Sequence, residues 1–152
     1  MTDEDYMKLA FAMARRAEEK GNAPFGAILV DKNGDVAFEA INNVISDSDC
    51  TGHAETNLVR DACRQLGVGA LVDYTLFTSA EPCCMCSAAM IWAGLGRLVF
   101  GLSSARLTEV RGGGAQMLDL TAREVVSRSP ADIKIDGPLL EDEAAALFAP
   151  AG

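Results

Sequence analysis

Tyr74-Thr75-Leu76-Phe77-Thr78-Ser79-Ala80-Glu81-Pro82-Cys83-Cys84-Met85-Cys86, residues 74–86, is the stretch on which the fold turns. Its opening, Tyr74 to Thr78, is aromatic, β-branched and apolar, and reads as a strand bounded by small and turn-forming residues. Pro82 then leads into an apolar helix over Cys84 to Ala93, since a proline at a helix entry forfeits an N–H that has no partner there. Arg97 to Gly101 reads as the next strand. Upstream, Ala54 to Leu66 has helical spacing with Leu58, Ala62 and Leu66 on one face. Helix, strand, helix and strand in succession predict a sheet with parallel members and helices laid across it.

The rest of the chain extends that pattern. Thr2 with Asp5 resembles a capping box, after which Met7, Leu9, Ala10, Phe11, Ala14 and Ala17 recur at helical spacing up to Gly21 and Asn22. Gly26 to Val30 and Asp35 to Ile41 are strands joined by Asn33-Gly34, a strong hairpin dipeptide. Asn43 to Gly52 is a polar loop, and Gly112-Gly113-Gly114 predicts a flexible one. Ala122 to Arg128 is expected to be helical, Ile133 to Ile135 to be a strand, and Glu141 to Phe148 to be a closing helix. The expected fold class is α/β: three layers, α/β/α, around a central mixed five-stranded sheet, in one domain over residues 1–152.

Composition narrows the partners. With 22 acidic against 13 basic residues the net charge is −9 and the pI about 4.5, which disfavours a broad nucleic-acid footprint. The cations that do pair, Arg15 adjoining Arg16 and Arg60 sharing a helix face with Arg64, read as solvated surface. Met1 to Tyr6 is acidic and lacks the apolar core of a signal peptide, and no apolar run reaches the ~18 residues of a membrane span. Five cysteines, an odd number with three crowded at Cys83, Cys84 and Cys86, suit a reducing cytoplasm with thiols free or on metal.

His53 is the only histidine, in His53-Ala54-Glu55 at the start of one expected helix; Cys83 and Cys86 lie at the start of another. Residues three apart on a helix share a face, so Cys83 and Cys86 can hold one ion while Cys84 points away. Two helix N-termini aimed at one point favour thiolates over thiols. One imidazole and two thiolates form a three-ligand zinc set with the fourth position left for water, one Zn2+ per chain. Glu55, two residues beyond a ligand, is placed to move protons for that water as a general base and acid. Paired H-x-E and P-C-x-x-C motifs are the signature of zinc deaminases.

Two other readings stay open on the residues alone. Cys50-Thr51-Gly52-His53 with Cys83 and Cys86 also spells a closed Cys3His structural site, although 152 residues can bury a core without such a staple and a closed site leaves Glu55 idle. A redox pair at Cys83 and Cys86 would leave His53 idle instead. Cys63 and Cys84 read as packing residues.

On these motifs, with Phe25-Gly26-Ala27-Ile28-Leu29-Val30 before them and Val99-Phe100-Gly101 after, the sequence resembles the cytidine deaminase-like superfamily. Within it, the chain is similar to the branch of guanine deaminases, fungal-type cytosine deaminases and tRNA adenosine deaminases. The resemblance implies a small amino heterocycle as substrate and a homodimer. It implies that Asn42 binds the base through its amide, that Phe25 lines the pocket, and that the N–H of Ala54 faces a substrate carbonyl. The Glu81 carbonyl would accept from the departing amine, and Trp92 would wall the pocket or pack in the core. The sequence departs from the guanine deaminases after Gly101, where Leu102-Ser103-Ser104-Ala105-Arg106-Leu107 offers no acid before Glu109, and where the tail offers Phe148 as its one aromatic.

Overall fold

A computed structural model describes residues 1–112 and 118–149. The elements are α1 (Asp3–Glu19), β1 (Gly26–Val30), β2 (Val36–Ile41), α2 (Ala54–Leu66), β3 (Thr75–Ala80), α3 (Cys84–Ala93), β4 (Arg97–Leu102), α4 (Ser104–Val110), α5 (Ala122–Ser127), β5 (Lys134–Asp136) and α6 (Glu141–Ala146). The five strands form one mixed sheet in the order β2-β1-β3-β4-β5. β1 is antiparallel to both β2 and β3, whereas β3, β4 and β5 run parallel.

The expected three-layer α/β/α arrangement is what the packing shows. Residues alternate across each strand, so Ala27 and Leu29 of β1 face one layer while Ile28 and Val30 face the other. The first layer is built by Leu58 and Ala62 of α2, Met90 of α3 and Val126 of α5. The second is built by Met7, Ala10 and Phe11 of α1, with Leu107 of α4 and Ala144 of α6. Burial of these side chains from water is the main stabilising term. Arg97 at the start of β4 adds a polar tie, bonding Asp3 of α1 at 2.7 Å and Asp136 of β5 at 2.9 Å.

Local chemistry explains most boundaries. Thr2 and Asp5 cap α1 reciprocally as expected, and Gly34 adopts φ +87° in the β1–β2 turn, a conformation that costs glycine little. Gly26 serves a different purpose: a Cβ there would collide with the backbone of Met13 and Ala14, so its bare Cα lets α1 lie directly on β1.

Several expectations are corrected. The α4 helix was not anticipated; its Ser103 N-cap and buried Leu107 are the only signals, too few for a periodic pattern across seven residues. Leu9 and Leu66, placed on apolar faces by spacing, are exposed. β3 extends to Ala80 and β5 runs one residue later than expected, pinned by parallel pairing of Leu98 with Ile135. Of the Gly112-Gly113-Gly114 loop, Gly112 is described and the other two lie outside the described residues.

Candidate metal centre and active site

Capping chemistry sets up the site. α1, α4 and α5 begin on Thr2, Ser103 and Thr121, whose hydroxyls accept from the first turn. α2 and α3 begin instead on His53 and Cys83, in extended conformation and with no side-chain cap bond. Their side chains reach across to each other rather than back to their own helices. The free N–H groups of both first turns therefore add positive potential around one point. That point lies where β3 gives way to the Glu81–Cys83 turn, at the carboxyl end of the parallel strands, the usual ligand position in such sheets.

His53 Nδ1 is 3.4 Å from Cys83 Sγ and 3.6 Å from Cys86 Sγ, and the three ligand atoms all lie within 4.8 Å of one another. Tetrahedral zinc with ordinary Zn–N and Zn–S lengths separates imidazole nitrogen from sulfur by about 3.6 Å. The donor set and its spacing thus fit one zinc ion per chain. Cys50 is exposed and stands outside this group, and among the described residues no fourth His, Cys, Asp or Glu joins it. Cys63 and Cys84 are half-buried and likewise stand apart.

Without metal, the ligands share protons. Hydrogen bonds from Cys86 and His53 bring the Cys83 thiol down to about 4. Cys86 is pushed up by its bond to Cys83 and by burial, so it keeps the proton of the pair. His53 is raised chiefly by its bond to Cys83. Thr56 Oγ1 lies 3.2 Å from Cys86 Sγ and steadies the buried ligand.

Glu55, in the first turn of α2, is buried beside the cluster. Its Oε1 accepts from the Thr78 hydroxyl at 3.0 Å, a bond that fixes the carboxylate rotamer. Burial first, and then the charge of Cys83, raise its carboxyl above the ordinary 4.5. A carboxylate held this way is suited to taking up a proton and returning it at neutral pH.

The remaining expected residues are distributed unevenly. Asn42 is buried at the end of β2, donating to the Ala23 carbonyl at 3.2 Å and accepting from the Val44 N–H at 3.1 Å. Ala54, fully buried, is the first helical residue of α2. Phe25 is half-buried, 5.3 Å from the Phe148 ring and with the Arg111 guanidinium 5.6 Å from its centroid. Glu81 lies in the turn before Cys83, and its carboxylate accepts from the N–H groups of Ser104 and Ala122, both at 2.9 Å. It thereby clasps the ligand turn to the starts of α4 and α5. Trp92 is not in the core: it is 76% exposed in an apolar groove with Val59, Cys63 and Ala89 on the outer side of α2 and α3, and the structure does not bring it to the metal cluster.

Sequence reasoning missed Thr78, Thr56 and Arg111. The threonines read as ordinary strand and helix residues, and their roles exist only once α2 packs beside β3 and α3. Arg111 follows a helix that was itself unforeseen.

Comparison with known proteins agrees with this geometry. Residues 1–102 match the family model described as the cytidine and deoxycytidylate deaminase zinc-binding region. The chain is 38% identical to a probable cytosine deaminase of Schizosaccharomyces pombe over 144 residues, covering 91% of this chain and 85% of that protein. It is 40% identical to the tRNA-specific adenosine deaminase of Bacillus subtilis over 99 residues, covering 65% of this chain and 61% of that protein. A guanine deaminase structure from Nitrosomonas europaea superposes with a TM-score of 0.78 at 25% identity, over 94% of this chain and 80% of that one. With its site built from one imidazole, two thiols and a buried carboxylate, the chain belongs to the zinc-binding cytidine and deoxycytidylate deaminase family and is a zinc-dependent hydrolytic deaminase.

Proposed function

We propose that the substrate is a free nucleobase or base-like amino heterocycle, with cytosine, guanine and aminated s-triazines as candidates, rather than the adenosine of a tRNA. The observation that carries this reading is the reach of the similarity. In sequence it runs through 91% of this chain and 85% of the S. pombe relative, a probable cytosine deaminase. Two features support it. Phosphate backbones need clustered cations, and this chain carries a net charge of −9. Phe148 also packs on Phe25, bringing an aromatic from the end of the chain to a position that suits a small, enclosed ring.

In this mechanism His53, Cys83 and Cys86 hold the metal. Bound zinc supplies Lewis acidity that lowers the pKa of water from 15.7 to about 7. Glu55 would accept the first proton of the water that adds to the amine-bearing carbon and pass it to the ring nitrogen, then carry the proton of the hydroxyl now on that carbon to the amine, so that the C–N bond breaks, ammonia departs and a carbonyl remains. Asn42 keeps one amide N–H and one oxygen lone pair beyond its two backbone bonds, enough to orient a ring edge. The Ala54 N–H would meet a substrate carbonyl, the Glu81 carbonyl the departing amine, and Phe25 a ring face. Ammonia release measured on cytosine, guanine, melamine and an adenosine-bearing anticodon stem-loop tests the reading. Turnover on a free ring and none on RNA is expected; turnover confined to the stem-loop would reverse it.

The working unit is proposed to be a cytoplasmic homodimer. Trp92 supports it, because an indole this exposed in an apolar groove costs free energy that a second copy would recover. Trp92→Glu should convert a dimer to a monomer in sedimentation equilibrium; a parent protein already monomeric at micromolar concentration would refute the dimer.

A further inference from the structure

Arg111 is the C-cap of α4, an element outside the zinc motifs. Its backbone N–H bonds the Leu107 carbonyl at 3.0 Å, which anchors the residue at the helix end. Its guanidinium lies over Phe25, whose other neighbour is Phe148. The Phe25 carbonyl in turn accepts from the Asn42 N–H at 3.0 Å, so the guanidinium stands beside the residue proposed to orient the ring. Among the described residues it forms no ion pair, although the chain has 22 acidic side chains to 13 basic ones. Arg97 and Arg106, which do form ion pairs, are each engaged by two carboxylates.

An arginine left unneutralised beside a binding site, in a protein this acidic, retains its N–H donors for a ligand. The guanidinium fork presents them in a plane suited to an oxygen acceptor and an adjacent ring nitrogen. Stacking on Phe25 restricts its orientation and lowers the entropy lost when it binds. Amine groups offer it nothing, because guanidinium has no acceptor.

We infer that Arg111 is a specificity-determining residue that recognises an exocyclic oxygen on the substrate ring, on an edge away from the reacting amine. The inference rests on the free-heterocycle reading above and narrows it to oxo-bearing amino rings. Hydrogen bonds to a charged group change binding by about 10- to 100-fold, which sets the size of the expected effect.

Matched pairs that keep the reacting amine and lose only the oxygen provide the test. Guanine pairs with 2-aminopurine and cytosine with 4-aminopyrimidine. Each is assayed with the zinc-loaded full chain and its Arg111→Gln and Arg111→Lys variants, separating kcat from KM. In the pair that the parent uses, Arg111→Gln should raise KM for the oxo member about 10- to 100-fold and change the other member less than about twofold. Arg111→Lys should restore part of the difference, since it keeps the charge but not the fork. Equal losses on both members, or an unchanged oxo preference in Arg111→Gln, would overturn the role of Arg111 while leaving the free-base reading intact. A parent that releases ammonia from melamine but from none of the four rings would overturn the role of Arg111 and leave the free-heterocycle reading standing; one inactive on all five would overturn both.

Discussion

Glu55→Gln is expected to retain one zinc per chain and to lose turnover by about 10²- to 10⁴-fold, the usual contribution of a positioned general acid and base. The geometry makes this substitution unusually clean. The amide oxygen can still accept from Thr78, so the rotamer fixed by the 3.0 Å bond survives while the titrating group is gone. Stability should move the other way. A carboxyl whose folded value is raised above the ordinary 4.5 favours the folded state only below that ordinary value, and the advantage disappears as pH rises through the raised one. At pH 7, where the unfolded glutamate is ionised, a carboxyl raised chiefly by desolvation penalises the native chain, and glutamine removes the penalty. Zinc-free Glu55→Gln should melt at least as high as the zinc-free parent at pH 7. Zinc content, ammonia release and a thermal melt check all three parts; near-parental turnover with zinc bound would eliminate the proton-shuttle role.

The site was legible in sequence to the extent that its chemistry is local. His53, Glu55, Cys83 and Cys86 announce themselves because metal ligation demands particular atoms at particular spacings, and helix geometry converts spacing into direction. The α2 and α3 boundaries followed from the same periodicity and hold to the residue. What failed depends on partners distant in the chain. Thr78 meets Glu55 across 23 residues and Glu81 clasps Ala122 across 41, and neither threonine nor glutamate in a turn carries a local mark of such use. Trp92 shows the opposite failure. Eight residues beyond Cys84 on an apolar helix, it invited a buried placement, but an apolar helix with two sides covered still has a third. Arg111 could not have been singled out, because its position depends on a seven-residue helix too short to show a period.

Removal of zinc should abolish activity without unfolding the chain, and stoichiometric zinc should restore it. The first half follows from where the structural stability lies. Each face of the sheet carries its own buried apolar cluster, built by helices on that side, and neither needs the metal to close. The ligands themselves occupy N-cap positions, so metal binding fixes two helix starts rather than creating two helices. Far-ultraviolet circular dichroism of the chelated chain should therefore remain native. Its melting temperature should fall, since a ligand held at 1,000 times its Kd stabilises a native state by about 4 kcal/mol. Loading should be acid-sensitive in a defined sense. Cys83 is already a thiolate near neutrality, but Cys86 must surrender its proton, so zinc affinity should decrease as pH falls. Cys86→Ser should lose zinc and activity together, whereas Cys50→Ser, altering an exposed thiol outside the cluster, should change neither. A chain that unfolds on chelation, or that loses its metal through Cys50→Ser, would mean the fourth corner is closed by protein and the site is a structural staple; a chain that stays folded, inactive and rescuable places the metal in the reaction.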